Sequence, residues 1–453
     1  MKRDLSVVTN ETLSLCSQIN NINSKEITGH VFSIQGLTIH IIVHYSDIGI
    51  GSRCYLLTDK KQKIWAEVIG FNKDYVIVML FDHAHGIKPG QTVYFESSQP
   101  TINPNMQWCG RVINGLAEPI DDLGPLPFGE YVQLLDPPSL PATKRARVKD
   151  RISVGVKAIN TFLTCCKGQR MGIFAGSGVG KSTLLSMFAK NTDCDICILA
   201  LVGERGKEVK DFLEETLGED GSKKSIVIVS TSDEPPLMRR QAAYLALSLA
   251  DYYRGQGLSV LCLIDSVTRF AMAQREIGLS AGEPPTTKGY TPSVFTQLAQ
   301  LLERAGPGLE HPSNSHKTGY VTGLFTVLVD GDDTNEPISD AVRGIVDGHI
   351  ILDRKIAEQG KFPAIDITKS ISRTVPGCHL EHEKDVVKQA RKYIALYEDM
   401  QDMIRLGAYR KGSDPEVDKA ITLMKKLHSF LSQTSQENFS IEASFKLLQE
   451  CLS

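Results

Sequence analysis

A run of glycines followed by lysine and serine is the part of this sequence best suited to do chemistry. It reads Ala175-Gly176-Ser177-Gly178-Val179-Gly180-Lys181-Ser182-Thr183, and it lies between an apolar run and a helical pattern. Glycines let backbone N–H groups point at phosphate oxygens, and a helix N-terminus favours an anion. The stretch therefore predicts a phosphate-binding loop, with alanine at the first position where the strict motif has glycine.

The side chains of this loop predict how a nucleotide is held. Lys181 is placed to reach the β- and γ-phosphates, and the Ser182 hydroxyl is placed to ligate Mg²⁺. ATP and Mg²⁺ are thus the expected substrate and cofactor. The other residues of the predicted nucleotide-binding set are Gly176, Ser177, Gly178, Val179, Gly180 and Thr183.

Two carboxylates elsewhere in the chain complete the chemistry of phosphoryl transfer to water. That reaction needs neutralised phosphate charge, a metal ion and an oriented water molecule. Asp265 ends the apolar run Val260–Ile264, as expected of a carboxylate that binds the metal together with Ser182. Glu204 follows the apolar run Ile196–Val202 and is the candidate for activating the water; the alternative is a surface ion pair with a neighbouring basic residue.

Alternating strand and helix patterns predict the element that positions these groups. From about residue 152 to 378 the pattern indicates a mostly parallel sheet of an α/β core, in which ligands bind beyond the carboxyl ends of the strands. The predicted strands are Arg170–Ala175, Ile196–Val202, Ser225–Val229, Ser259–Ile264, Val321–Val329 and His349–Leu352.

Composition limits the class of protein. The 453 residues are 42% hydrophobic and 23% charged, with a net charge of −3 and ten cysteines, which indicates two or three domains of an ordinary globular protein. The scattered cysteines are expected to be reduced thiols. No apolar run approaches the roughly 20 residues that cross a bilayer, and the net charge argues against a nucleic-acid partner.

The regions flanking the core have different patterns. Residues 1–25 are polar with scattered aliphatics, which fits either a frayed terminus or a short helix that folds on a partner. Short β-rich runs from 26 to 97 predict a small β-barrel. Residues 98–151 form a connector whose basic run, from Lys144 to Arg151, is expected to be a solvated inter-domain face. Residues 379–453 have helical periodicity and predict a helical C-terminal domain.

Two segments resemble the rotary ATPase α/β subunit family. Gly203-Glu204-Arg205-Gly206-Lys207-Glu208-Val209 resembles the catalytic-glutamate motif of the catalytic subunits. The stretch from Pro363 to Ser372, PAIDITKSIS, is similar to the signature shared by α and β subunits. The resemblance covers residues 25 to 450 and implies the same succession of β-barrel, P-loop (RecA-like) core and helical domain.

Within this family the sequence is most similar to the export ATPases of flagellar type III secretion. The loop from Phe174 to Leu185 and the segments 265–276 and 282–290 carry this resemblance. Virulence-associated (injectisome) export ATPases share most of these segments, and they remain the alternative. The resemblance implies an ATP-hydrolysing motor for export of flagellar proteins during flagellum assembly.

The resemblance also implies roles for residues whose types alone do not reveal them. Arg205 is expected to contact the γ-phosphate, and Arg373 to act as an arginine finger on a neighbouring subunit's nucleotide. Phe362 stands where catalytic subunits carry an aromatic residue that packs on adenine; ordinary core packing is the alternative. The loop 306–317 matches nothing in the family pattern.

The partners implied by the resemblance follow from the same family. They are other copies of the chain in a homohexamer, a stator-like regulator bound by the N-terminus, a central-stalk-like protein, the export gate, chaperones and exported flagellar proteins. No nucleic acid is expected. The implied location is the cytoplasm, with peripheral association at the inner-membrane export gate.

Two other functions compete with an export motor. A non-catalytic nucleotide-binding subunit is one, but such subunits lack the carboxylate that Glu204 supplies here. A hexameric RNA translocase is the other; the acidic balance and the lack of an aromatic RNA-binding motif in the N-terminal region argue against it.

Overall fold

Short strands with alternating buried and exposed residues close a six-stranded β-barrel in the first part of the chain. The computed structural model describes residues 27–43, 48–96, 99–310, 317–329 and 336–453, and these fall into two units that divide after Pro100. The barrel strands are Ile27–Gln35 (β1), Thr38–Ile42 (β2), Arg53–Leu57 (β3), Lys63–Phe71 (β4), Val76–Leu80 (β5) and Thr92–Phe95 (β6).

The barrel is antiparallel throughout and is filled by aliphatic side chains. Its strands follow the order β1-β2-β5-β4-β3-β6. Ile41, Cys54, Leu56, Val78 and Val93 are completely buried inside it. Closure leaves no open sheet edge, which removes the usual liability of an exposed strand. The predicted N-terminal barrel is confirmed, whereas the predicted partner-binding segment 1–25 lies outside the described residues.

A mainly parallel sheet forms the centre of the second unit, as the sequence predicts. The strands of this unit are Thr101–Ile102 (β7), Val112–Ile113 (β8), Gln133–Leu134 (β9), Arg170–Ala175 (β10), Ile196–Glu204 (β11), Ser225–Thr231 (β12), Ser259–Asp265 (β13), Gly306–Pro307 (β14), Tyr320–Leu328 (β15), Gly348–Leu352 (β16) and Ile371–Ser372 (β17). The strand order in the sheet is β17-β16-β10-β15-β13-β11-β12-β8, with β14 paired to β15. The β14–β15 and β16–β17 pairs are antiparallel, and the other pairs are parallel.

Helices cover both faces of this sheet, and successive residues of a strand point to opposite faces. In β11, Leu199 packs in one hydrophobic cluster with the helices near the C-terminus, whereas Ile198 packs in the other cluster. The helices are Lys157–Phe162 (α1), Lys181–Asn191 (α2), Gly206–Asp211 (α3), Gly218–Lys223 (α4), Pro236–Gly255 (α5), Val267–Ser280 (α6), Pro292–Glu303 (α7), Pro337–Ile345 (α8), Arg354–Glu358 (α9), Glu381–Arg405 (α10), Pro415–Leu431 (α11) and Ile441–Leu452 (α12).

Local sequence explains where several of these helices begin. Ser266, Asp414 and Ser440 each accept a hydrogen bond from a backbone N–H of the first turn, which satisfies a donor that the helix leaves free. The three helices α10 to α12 confirm the predicted helical C-terminal region. None of the helices in the described part of the chain has the length and apolar character needed to cross a membrane.

The predicted solvated face on the basic run 144–151 is wrong for two of its members. The side chain of Arg145 is 15% exposed and donates to the Glu303 carbonyl at 2.9 Å. Arg151 forms an ion pair of 2.7 Å with Glu383, whose side chain is 5% exposed. The carboxylates and carbonyls that bind these arginines are distant in sequence, so a run of basic residues could not reveal them.

Candidate active site

The glycine-rich loop joins the carboxyl end of β10 to the first turn of α2. Gly178 and Gly180 have φ angles of +78° and +88°, which residues with a Cβ adopt only at a cost. A Cβ on Gly180 would also lie 3.2 Å from Phe362 Cδ1. At Gly180 both the backbone angle and the nearby ring therefore disfavour a larger residue.

The residues of this loop differ in what they present to solvent. Gly176 and Val179 are buried, and Val179 anchors the loop in the core. Ser177, Ser182 and Thr183 are exposed. The buried Val179 side chain thus anchors the loop in the core, while the residues that carry hydroxyl groups remain accessible to a ligand.

Two predicted carboxylates, from the ends of two strands, meet the predicted loop lysine, Lys181. The Lys181 Nζ donates to Asp265 Oδ1 at 2.6 Å and to Glu204 Oε1 at 3.3 Å. Thr326, on β15, donates its hydroxyl to the same Asp265 oxygen at 2.6 Å. The side chains of Lys181, Glu204 and Asp265 are 13%, 14% and 5% exposed. The carboxyl ends of β11 and β13 thus bring both carboxylates to the loop.

Burial and charge set the protonation of this group. Burial raises the pKa of Glu204 and the Asp265 carboxylate raises it further, which outweighs the lowering by Lys181. Burial lowers the pKa of Lys181, but attraction to Asp265 and Glu204 outweighs burial and the net pKa is raised. The lysine is therefore held as a cation, and Glu204 is a stronger base than an exposed glutamate.

A local irregularity of β11 directs Glu204 towards the loop. The register of β11 against β12 shifts between Val202 and Glu204. Gly203 between them has φ +69°, and a Cβ there would lie 2.9 Å from the Arg269 Cβ. Such bulges re-aim a side chain and are common next to active sites.

The oxygen ligands at the site fit Mg²⁺ held with a polyphosphate. Mg²⁺ prefers oxygen ligands and is usually bound by one or two carboxylates together with substrate phosphates. Asp265 provides a buried carboxylate, and Ser182 provides an exposed hydroxyl on the first turn of α2. Within the described residues no three His, Cys, Asp or Glu side chains form a metal cage.

A cavity of about 610 Å³ opens beside the loop. Gly178, Gly180, Thr183 and Phe362 all line it, and the Phe362 side chain is accessible, since the residue is 43% exposed. This volume lies within the usual range for sites of small molecules and cofactors. The packing of Phe362 against a base stays a prediction; its side chain lines the same cavity as the phosphate loop.

One side of this cavity was missed by sequence analysis. Residues 432–435 and Glu437, in the turn after α11, line it as well. The Gln433 N–H donates to the Phe362 carbonyl at 2.8 Å, and its side-chain amide donates to the Gly155 carbonyl at 2.8 Å. Nothing in the local sequence of this polar turn indicates that it lies beside the phosphate loop, from which it is far away along the chain.

The two predicted arginines do not join the cluster at Lys181. The Arg205 side chain is 80% exposed, and its nearest carboxylate, on Glu208, is 3.8 Å away. Arg373 is exposed and directly follows β17. Its backbone N–H donates to the carbonyl of Asp347, the residue before β16, at 2.9 Å. Asp347 also binds Arg170, the first residue of β10. Arg373 thus lies at the amino-terminal edge of the sheet, whereas the loop begins at the carboxyl edge.

Three family models match the chain in the order of its domains. The β-barrel domain of the ATP synthase alpha/beta family matches residues 41–96, and the nucleotide-binding domain of that family matches residues 155–372. The C-terminal domain of the type III secretion ATPase EscN matches residues 380–450. The nucleotide-binding match includes the loop, Glu204, Asp265 and Phe362.

Relatives that match nearly the whole chain are named as flagellar proteins. The flagellum-specific ATP synthase of Caulobacter vibrioides is 51% identical over 97% of this chain and 99% of its own length. The protein of the same name from Bacillus subtilis is 45% identical over 97% of this chain and 98% of its own length.

Solved structures give the same assignment of fold. The assembled ATPase EscN of the enteropathogenic Escherichia coli type III secretion system is 38% identical, with a TM-score of 0.85 over 94% of this chain and all of that chain. EscN in complex with its central stalk EscO is also 38% identical, with a TM-score of 0.84 over the same shares. The barrel, the P-loop core and the helical C-terminal region agree with this likeness, and the chain belongs to the ATP synthase alpha/beta family.

Proposed function

We propose that this chain hydrolyses Mg-ATP as the motor subunit of a flagellar type III protein export apparatus. The observation that carries the proposal is the meeting of Lys181, Glu204 and Asp265 at the carboxyl edge of one sheet, beside a loop built for phosphates. Relatives named flagellum-specific ATP synthase support the flagellar branch, at 45–51% identity against 38% for EscN. The injectisome type of export ATPase is the alternative.

Each polar group at the site has a distinct part in hydrolysis. The loop N–H groups and Lys181 bind the β- and γ-phosphates, and Lys181 exchanges its carboxylate partners for phosphate oxygens. Glu204, freed from Lys181, accepts a proton from the attacking water as general base. Ser182 and Asp265 would hold Mg²⁺, which would neutralise phosphate charge when bound. Thr326 fixes the Asp265 carboxylate by donating to it.

The cavity next to the loop is the proposed site of the nucleoside. Phe362 offers an aromatic face that can pack on adenine, and the polar turn 432–435 closes the cavity on another side. Arg205, exposed beside Glu204, is proposed to contact the γ-phosphate after the nucleotide binds. These roles depend on side chains that are already at the cavity or free to reach it.

Arg373 is proposed to act on the nucleotide of a neighbouring copy. Five residue steps of about 3.3 Å along β10 separate the edge that bears Arg373 from the edge that bears the loop, about 16 Å in all. Arg373 is therefore badly placed for the site of its own subunit. An arginine finger supplied by a neighbour would complete the site, and a homohexameric ring is the proposed active form. EscN, a relative, has been solved in an assembled state.

The remaining partners and the location are proposals from the family. A central-stalk protein is proposed because EscN binds the stalk EscO. The N-terminal residues 1–25 are proposed to bind a stator-like regulator. Chaperones, exported flagellar proteins and the export gate are proposed contacts of a cytoplasmic ring that associates peripherally with the inner membrane.

Mixing two inactive variants tests the proposal. Arg373→Ala and Lys181→Ala subunits should each be inactive as homo-oligomers. In a mixed ring some interfaces pair an intact loop with an intact finger, so ATP hydrolysis should partly return. A dilute monomer should bind ATP yet hydrolyse it slowly, because a finger supplied by another chain is worth about 10³–10⁵ in rate in GTPases. If mixtures remained inactive at all ratios while both variants assembled, Arg373 would not act in trans.

A further inference from the structure

A second cavity, of about 590 Å³, lies at the amino-terminal edge of the core sheet and is rich in arginine. Its arginines come from the basic run, from the start of β10 and from the residue after β17; they are Arg145, Arg147, Arg170 and Arg373. The phosphate loop at the opposite edge does not line this cavity. The function proposed above uses only Arg373 of this group.

Two of the four arginines are already neutralised within the chain. Arg170 forms ion pairs of 3.1 Å with Asp347 and 2.6 Å with Glu303. Arg145 donates to the Glu303 carbonyl at 2.9 Å and lies 4.0 Å from the Glu303 carboxylate. Their side chains are 17% and 15% exposed. These two arginines hold the wall of the cavity together and are not available to a ligand.

Arg147 and Arg373 differ from that pair. Both are exposed, and within the described ranges neither side chain forms an ion pair or hydrogen bond. Glu310 also lines the cavity and is likewise without an ion pair there. Two guanidinium groups without an ion pair, against one such carboxylate, leave the cavity with an excess of positive charge, which suits an anion with several oxygens, such as a polyphosphate.

The backbone that carries Arg147 is fixed by the loop to which sequence analysis gave no role. Residues 144–146 pair antiparallel with residues 308–310 through backbone hydrogen bonds of 2.9 and 2.8 Å. Side chains two positions apart in an extended segment point to the same side, so Arg147 lies on the same side as Arg145, towards the cavity. The described part of the loop 306–317 therefore holds Arg147 at the cavity that Arg373 also lines.

We propose that Arg147 is a second residue supplied in trans, which contacts the phosphates of the nucleotide bound by the neighbouring subunit. The inference rests on the proposed function, because it needs a ring in which Arg373 faces that nucleotide. Arg373 and Arg147 then meet the polyphosphate from one cavity wall, with Arg170 and Arg145 keeping that wall rigid. Bidentate guanidinium–phosphate contacts would give Arg147 a role that lysine only partly replaces.

Steady-state ATPase assays on assembled rings of four variants test this inference. Arg147→Ala should lower kcat about 10- to 100-fold, the effect of losing one charged hydrogen-bonded contact. Arg147→Lys should recover only part of that rate. Lys149→Ala is the matched control, because it removes the same charge two residues away from a side chain that does not line the cavity. Glu310→Gln should not lower the rate, since Arg147 acts on phosphate and not on Glu310, and removal of a carboxylate from this cavity favours a bound anion.

The outcomes separate this inference from the proposed function. Arg147→Ala mixed with Lys181→Ala should regain activity, as the Arg373→Ala mixture should. If the Arg373 mixture regains activity but Arg147→Ala is as active as Lys149→Ala, only the role of Arg147 is overturned. An equal loss in Glu310→Gln would show that Arg147 only pairs with Glu310, which also overturns it. If Arg147→Ala fails to assemble, Arg147→Lys must assemble and still lose rate several-fold; full activity in that variant would refute the contact.

Discussion

Lys181 makes two ion pairs in this structure, and both bear on the proposed catalysis. Its pairs with Asp265 and Glu204 keep all three charges together in a poorly solvated site. If Lys181 binds the phosphates as proposed, a nucleotide would have to compete with both carboxylates for the lysine. Its binding would then release Glu204 when a base is needed, which would couple occupancy of the site to activation of the water.

Lys181→Ala and Glu204→Gln should affect different steps. Loss of Lys181 removes a phosphate contact, so both nucleotide affinity and turnover should fall. Glu204→Gln keeps the shape of the side chain but removes the base, so nucleotide binding should persist while kcat falls by about 10²–10⁴. Equilibrium binding of a labelled nucleotide and steady-state ATPase assays measure the two effects. Glu214→Gln, on an exposed side chain, is the control; a normal rate in Glu204→Gln would contradict the assignment of the base.

The raised pKa of Glu204 predicts the acid limb of the pH profile. The carboxylate must be ionised to accept a proton, so activity is lost as pH falls through its pKa. Because burial and Asp265 raise that pKa, the limb in kcat/KM should lie above the ordinary glutamate value of about 4.3. The profile of kcat/KM reports the free enzyme, which is the state described here. A limb at the ordinary value, or one unchanged in Glu204→Gln, would show that another group controls it.

Residues at the site differ in how far sequence could reveal them. Lys181 and Asp265 were identified because each follows a pattern with a physical reason: a glycine loop before a helix, and a carboxylate after an apolar strand. Thr326 was not identified, because a threonine within a β-strand is ordinary and its bond to Asp265 depends on the neighbouring strand. The turn at Gln433 was missed for the same reason, since only tertiary contacts bring it to Phe362.

At the scale of elements, the edge strand β8 is held by one densely bonded carboxylate. Asp121 accepts hydrogen bonds from Arg111 Nε at 2.7 Å and Nη2 at 2.8 Å, and from the backbone N–H of Val112 at 2.9 Å. The side chains of Arg111 and Asp121 are 11% and 8% exposed. These bonds tie β8 to the turn that follows it, and the strand itself joins the sheet through its short ladder with β12.

Asp121→Asn should lower the free energy of unfolding by about 2 kcal/mol, the scale of a charged hydrogen-bonded pair. The bond to Arg111 lowers the pKa of Asp121 to about 2, below the unfolded value of about 3.9. Its stabilisation is therefore complete above the unfolded value and is lost as pH falls towards 2. Thermal melts of wild type and variant at pH 7 and pH 3 should show a smaller difference at the lower pH. The neighbouring Asp122→Asn should show neither effect.

Elements were predictable where periodicity is strong and less so where packing decides. The strand at Arg170–Ala175 has the predicted bounds, and the strand at β15 is displaced by one residue from its predicted position. Apolar runs between polar turns leave little freedom there. The bulge at Gly203 could not be predicted, because a glycine before Glu204 is compatible with a straight strand and the shift appears only in pairing with β12.

At the scale of the whole molecule, the sequence predicted the three-part succession of barrel, parallel core and helices. That order follows from local patterns and from resemblance to a family. The amino-acid sequence did not reveal which charged side chains line the same cavity. The arginines at 145, 147, 170 and 373 are scattered along 229 residue positions, and the strand order places them at one edge.

If Arg373 acts in trans as proposed, the length of β10 limits how fast an unassembled subunit can hydrolyse ATP. A single copy would then carry both the phosphate loop and the arginine finger, but at opposite edges of one sheet. Newly made subunits would therefore bind ATP but hydrolyse it slowly. Rapid hydrolysis would begin only when one copy docks against another. ATP would therefore be hydrolysed mainly where the export apparatus assembles.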